Sequence, residues 1–156
     1  MPIQDYNIYT GKGYAGDLYD SAPRVTQTGR VEAASLGFGL ALTKGTADKD
    51  VVVGHDAGVV FAISMRELNH EAANRPSDGV TTYVEGESAS ILREGFILVE
   101  VTERAAVAGE LANVVDATGA FAGGAAAGAG ETASTNVRFV ESGQVGEVVK
   151  ARIDIV

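Results

Sequence analysis

Three features of the chain predict an all-β fold, a small β-sandwich or barrel of about seven to nine short strands. The first is period-two alternation. In "VVKARIDIV", Val149, Ala151, Ile153 and Ile155 take one face while Lys150, Arg152 and Asp154 take the other. The second is turn chemistry along the whole length, with 20 glycines among 156 residues. The third is that strand-like segments do not alternate with long helical ones, which disfavours a βαβ architecture. The length suits one domain that buries its own core.

Residues 1–22 read as an extended N-terminal arm, and 23–156 as a single β domain. The arm carries Tyr6, Tyr9, Tyr14 and Tyr19 among Gly, Asp and Lys, without a sustained period. Four of the five tyrosines lie there. Tyrosine covers apolar area and keeps a polar tip, so these four are the candidate contact residues; the alternative is an arm packed back on its own domain.

In the domain, Phe38, Leu40 and Leu42 alternate with Gly39, Ala41 and Thr43. "VVV" at 51–53 and "VVFAI" at 59–63 flank "GHDAG" and fit a hairpin with a five-residue connection. At most one short helix is expected. Ser64 is placed to cap it, Glu67 follows three residues later, and Pro76 ends it. A loop fits that segment nearly as well.

"YVEGESASILREGFILVEVTERAAVAGELANVV", residues 83–115, reads as strand, turn, strand, turn, strand. "REG" at 93–95 suits a three-residue hairpin loop with Gly95 at positive φ. Ile97, Val99 and Val101 point inward, and Phe96 and Leu98 suggest cover on both faces. Ala108–Gly109–Glu110 turns into a strand at Leu111–Val115. Residues 119–131, "GAFAGGAAAGAGE", read as a flexible surface loop. Val137 and Phe139 alternate next, Ser142–Gly143 turns, and the final segment ties the C-terminus into a sheet.

No catalytic, cofactor-binding or metal site is assigned. His55 stands beside Asp56 and His70 beside Glu71, but no third ligand stands at a metal-binding spacing. "TGKGYAGD" is not a P-loop, "GFG" at 37–39 lacks the third glycine of a dinucleotide fingerprint, and no G-x-S-x-G elbow occurs. Glu85 and Glu87 offer a carboxylate pair of the kind glycosidases use, yet a solvated strand edge is the commoner use of such acids. No cysteine is present. The net charge is −9 and the 12 basic residues are scattered, which disfavours nucleic acid as a partner. No apolar run approaches the roughly 20 residues that cross a bilayer, and the N-terminus does not read as a signal peptide.

The order of segments resembles the capsid decoration, or structural cement, proteins of tailed bacteriophages. A family pattern of an aromatic residue, turn glycines and alternating aliphatics corresponds to Tyr83–Val101 and Val107–Val115, and the family's closing strand to Ala151–Ile155. The likeness spans residues 30–156 and rests on alternation and turn glycines. It implies a non-enzymatic virion protein, made in the host cytoplasm and placed on the outer capsid surface. There it binds the major capsid protein, as a homo-trimer or homo-dimer, and stabilises contacts between capsid subunits. The alternative is a carbohydrate- or receptor-binding β-sandwich on the virion surface. That reading lacks aromatic platforms, because there is no tryptophan and the tyrosines crowd the arm.

Overall fold

A computed structural model describes residues 13–19, 21–67 and 82–156. Eleven strands follow in order: β1 (Val25–Val31), β2 (Ser35–Leu36), β3 (Ala41–Lys44), β4 (Asp50–Val53), β5 (Ala62–Ser64), β6 (Tyr83–Val84), β7 (Ser88–Thr102), β8 (Leu111–Val115), β9 (Phe121–Ala122), β10 (Glu131–Phe139) and β11 (Val148–Ile153). Nine of them join one sheet in the order β1-β4-β3-β5-β7-β11-β10-β8-β9, while β2 and β6 form a separate pair. No helix occurs among the described residues. The fold is all-β.

Two additional pairings, β1 with β7 and β7 with β9, close this sheet twice. The first ring is β1-β4-β3-β5-β7 and the second is β7-β11-β10-β8-β9, so two small barrels share β7. Closure removes most strand edges. Each barrel surrounds its own core. The first holds Val31, Leu36, Leu42, Val51, Ala62, Tyr83, Ala89 and Ile91. The second includes Ile97, Val99, Val101, Val114, Phe121, Val137, Phe139, Val149 and Ile153.

The shared strand explains why Arg93–Gly95 is not a hairpin loop. β7 runs unbroken for 15 residues through that tripeptide. Its first half pairs with β1 and β5, and from Gly95 onward it pairs with β11. Gly95 sits at the transfer point with φ +132°, where a Cβ would lie 2.9 Å from the Cβ of Arg24. A glycine that suits a turn equally suits a bend in a continuous strand.

The "VVV…VVFAI" hairpin is also replaced. β3 lies between β4 and β5 and pairs with both. Only Asp56 and Val59 bridge locally, around Ala57 and Gly58, both at positive φ. Ser64 caps no helix. It ends β5, fully buried, donating to the carbonyl of Gly37 at 2.8 Å and accepting from the amide of Leu40 at 2.9 Å. The remainder of the expected helix, from residue 68, lies outside the described residues.

The glycine- and alanine-rich span is divided rather than wholly exposed. Phe121 and Ala122 form β9 and are fully buried, and a Cβ on Gly123 would lie 1.8 Å from the carbonyl oxygen of Ala105. Asn113 Nδ2 donates to the carbonyls of Gly123 and Gly124. Residues 125–130 are exposed, and Arg104 ties them down through Ala126 O and Glu131. The turn after β10 centres on Val145–Gly146, while Gly143 bridges to Ala106. β11 ends at Ile153, leaving Ile155 48 % exposed instead of inward.

One turn design recurs. Tyr14–Asp17, Val84–Glu87, Val107–Glu110, Gly128–Glu131 and Gln144–Glu147 each close with the fourth residue's amide donating to the first residue's carbonyl. Each has glycine at the third position with φ between +73° and +90°. That is the type II β-turn, which needs glycine there. In four of the five, the acidic side chain also accepts the first residue's amide, at 2.8–2.9 Å.

Candidate functional site

The arm candidates divide at the start of the described chain: Tyr6 and Tyr9 lie outside the described residues, while Tyr14 and Tyr19 lie within them. Between these two, the chain runs along the outer side of β7. Gly16 donates to Leu98 O at 2.8 Å, and Leu98 donates to Asp17 O at 2.9 Å. Leu18 bridges antiparallel to Ile97 and packs against the second core. Gly16 is required by close approach, because a Cβ there would lie 2.8 Å from the Arg66 amide nitrogen. This stretch is the cover expected over Leu98, which is 2 % exposed.

Both tyrosines keep their rings at the surface, 66 % and 44 % exposed. Each ring meets a cation. The Arg66 guanidinium lies 4.0 Å from the Tyr14 ring and reaches Asp17 at 3.3 Å. Lys150 Nζ lies 4.1 Å from the Tyr19 ring and 4.4 Å from the Phe96 ring. Arg152, paired across the strands with Phe96, lies 5.8 Å from that ring. Tyr19, Phe96, Lys150 and Arg152 therefore form an aromatic and basic row on an otherwise acidic protein. Cation–π contacts fix long cationic side chains over rings and leave both available at a surface. Lys150 and Arg152 were legible as the outward set of an alternating strand; Phe96, expected to be covered, is half-buried in this row, and the meeting of all three with Tyr19 required the β7–β11 register.

Glu85, Glu87 and His55 settle into structural positions. Glu85 is exposed in the Val84–Glu87 turn, and Glu87 accepts the Val84 amide at 2.8 Å. His55 is brought to Asp116 and Thr132. Its Nδ1 accepts the Gly58 amide at 3.2 Å, so Nε2 carries the hydrogen donated to Asp116 Oδ1 at 2.9 Å. Thr132 Oγ1 donates to the same carboxylate oxygen. These two bonds hold the Asp116 carboxyl below its ordinary range, His55 contributing most. The arrangement differs from a nucleophile triad, because both ring nitrogens are engaged and the hydroxyl bonds the carboxylate rather than the imidazole. It ties the β4–β5 connection to β8 and β10. His70 lies outside the described residues. Among the described residues no three or more His, Asp or Glu side chains converge as metal ligands would.

Two concavities flank the first barrel. A cleft of about 710 Å³ lies between β1 and the Ala47–Asp50 turn, with Thr28, Arg30, Lys49 and Ser88 on its walls. A smaller one of about 160 Å³ adjoins Phe61, whose ring meets Arg93 at 3.8 Å and Lys44 at 5.3 Å.

A chain in the solved structure titled "The capsid of Myoviridae Phage XM1" shares this fold with a TM-score of 0.71. It is 14 % identical, and the match covers 99 % of this chain and 98 % of that one. No curated protein matches the sequence. The family described as Structural cement protein (E217 gp24/Pam3 gp6) matches over residues 1–154. The chain belongs to the structural cement protein family of bacteriophages.

Proposed function

We propose that this protein binds the outside of the assembled phage head and clamps neighbouring major capsid subunits, with no catalytic step. Family membership supports the structural role. The observation that carries the finer reading is the arm: Tyr14 and Tyr19 stay exposed while hydrogen bonds to Leu98 fix the chain between them. In this reading the arm, residues 1–22, offers Tyr6, Tyr9, Tyr14 and Tyr19 to neighbouring subunits, Tyr14 and Tyr19 from either end of the stretch held on β7, and the row of Phe96, Lys150 and Arg152 extends the contact.

One arm is a weak anchor, because a stable interface buries about 800 Å² per partner. A homo-trimer or homo-dimer supplies two or three arms on a rigid body. The second and third contacts then form at an effective concentration near the millimolar range. Such a clamp grips only where subunits present the matching spacing.

The test is co-sedimentation of the purified protein with expanded heads that lack it, followed by heating. Saturable binding in a simple ratio to the major capsid protein, with a higher rupture temperature, is the expected result. The Tyr14→Ser/Tyr19→Ser double variant is expected to bind at least about tenfold more weakly. It is preferable to deletion of residues 1–20, which would strip Leu98 of its cover. Failure of the folded wild-type protein to bind would overturn the proposal and direct attention to a glycan screen.

A further inference from the structure

The two barrels close in the same way. In each, a parallel pair of only two residues completes the ring: Arg30–Val31 with Asp50–Val51 in the first, Val101–Thr102 with Phe121–Ala122 in the second. In each, the longer strand extends back from that pair with one edge beyond the reach of its parallel partner. In the second barrel the chain covers this edge itself, by laying Gly16–Leu18 along Ile97 and Leu98. In the first barrel no described segment covers it.

The open edge can be assigned residue by residue. The Val31 amide donates to Glu87 O on the β7 side, and the Arg30 amide donates to Lys49 O on the β4 side. Backbone groups alternate sides along a strand. Thr28 and Thr26 therefore point their amides and carbonyls away from β7, as Arg30 does. The β4 chain does not follow them: Asp50 donates to Ala47 O and turns away, while Arg30 grips Asp50 through two bonds of 2.6 and 2.8 Å. The 710 Å³ cleft is the space this leaves. Of the stretch Val25–Gly29 only Thr28 lines that cleft, and the stretch carries no charge in a chain with 33 charged side chains, although edge strands are ordinarily guarded by charge or proline.

We infer that the edge of Val25–Gly29 takes an extended strand of a capsid subunit, which hydrogen-bonds to Thr26 and Thr28 as Gly16–Leu18 does to β7. This deepens the proposed function and rests on it. A second copy of the arm is disfavoured as occupant because Gly16–Leu18 is already engaged on its own β7. The recognition is by main-chain hydrogen bonds, the β-augmentation mode, with Thr26 and Thr28 setting the side chains tolerated opposite them.

The experiment compares amide exchange of the wild-type protein free and bound to heads, alongside Thr28→Pro. Proline there removes an outward amide and leaves the β7 ladder intact. The expected result is slowing of the Thr26 and Thr28 amides by at least about 100-fold in the complex. Head binding by the folded variant should be at least about tenfold weaker. Wild-type binding with edge amides as fast as in the free protein would overturn this inference and leave the clamp standing. Edge protection that appears in concentrated protein without heads would overturn it in favour of self-association. Failure of the wild type to bind heads would overturn both. If Thr28→Pro does not fold, wild-type exchange alone decides.

Discussion

Among the described residues the second barrel is sealed and the first is not. The cluster that fills the second barrel contains sixteen buried residues, among them Phe121, Phe139, Ile97 and Ile153 at 0 % exposure, and four of the sixteen (Ala41, Val60, Ile63 and Leu92) reach it from the first barrel's side. The first contains eight, surrounded by the partly buried Phe38, Leu40, Val53 and Phe61. Even the low-complexity span is drawn inward in the second barrel, and the arm covers its outer edge. The first instead carries the 710 Å³ cleft and an edge of β1 that no described segment covers. A division of labour follows: one barrel supplies rigidity, and the other presents surface that a partner can complete.

That contrast is broken most forcefully by emptying the sealed side. Phe121→Ala is expected to cost about 3–5 kcal/mol, and Phe61→Ala less than half as much, because Phe61 keeps part of its ring in solvent. Urea midpoints of the two variants measure the difference, and equal losses would show that the barrels are equally packed.

Glycines sharpen the same comparison. Gly123→Ala drives a Cβ into the Ala105 carbonyl at 1.8 Å, and a loss of about 3 kcal/mol or more is expected. A Cβ on Gly146 meets nothing within 4 Å, so Gly146→Ala should cost only the left-handed backbone strain, about 1–2 kcal/mol. Thermal midpoints should separate the two variants clearly.

Tyr83 tests the first core alone. Its ring packs edge-on to Phe38 at 5.3 Å, and its hydroxyl donates to Met65 O at 2.9 Å. Burial pushes that hydroxyl's pKa well above the ordinary tyrosine value. Tyr83→Phe keeps the packing and removes the donor, for an expected loss of about 1 kcal/mol in urea unfolding.

How much of this could be read beforehand depends on the range of the signal. Alternation gave the inward sets of β7, β10 and β11, Ile155 excepted, because a period of two is local. The double closure was not legible, since it depends on which strands meet β7 from either side. Arg93–Gly95 shows the ambiguity: one positive-φ glycine serves a hairpin or a bend, and only the partners of Leu92 and Ile97 decide. Phe121 was hidden because alanine and glycine around it offer little apolar signal, although they are what lets β9 pass close to Ala105. The x-x-Gly-Glu/Asp turns were readable and recur five times, yet only Ala108–Gly109–Glu110 stood out. At the candidate site, the arm tyrosines were visible from composition, whereas Arg66, Lys150 and Phe96 joined them only through long-range register.

The smallest expected effect lies at the joint between the barrels and depends on pH. His55 and Thr132 hold the Asp116 carboxyl below its ordinary range, as Arg30 does for Asp50 and Thr46 for Glu32. A carboxylate whose pKa is lower in the folded state binds its proton first in the unfolded chain. Its stabilisation is therefore complete above the ordinary carboxylate pKa, near 4, and is lost as pH falls through the depressed folded value. The contribution of these three groups should be constant between about pH 5 and 8 and fall below about pH 4. Asp116→Asn removes one of the three without touching either core. Its thermal midpoint should lie slightly below wild type at pH 7, and the two should converge as the pH is lowered towards 3. A gap that stays constant across that range would mean that the carboxylate's charge contributes nothing and that Asp116 joins the barrels by hydrogen-bond geometry alone.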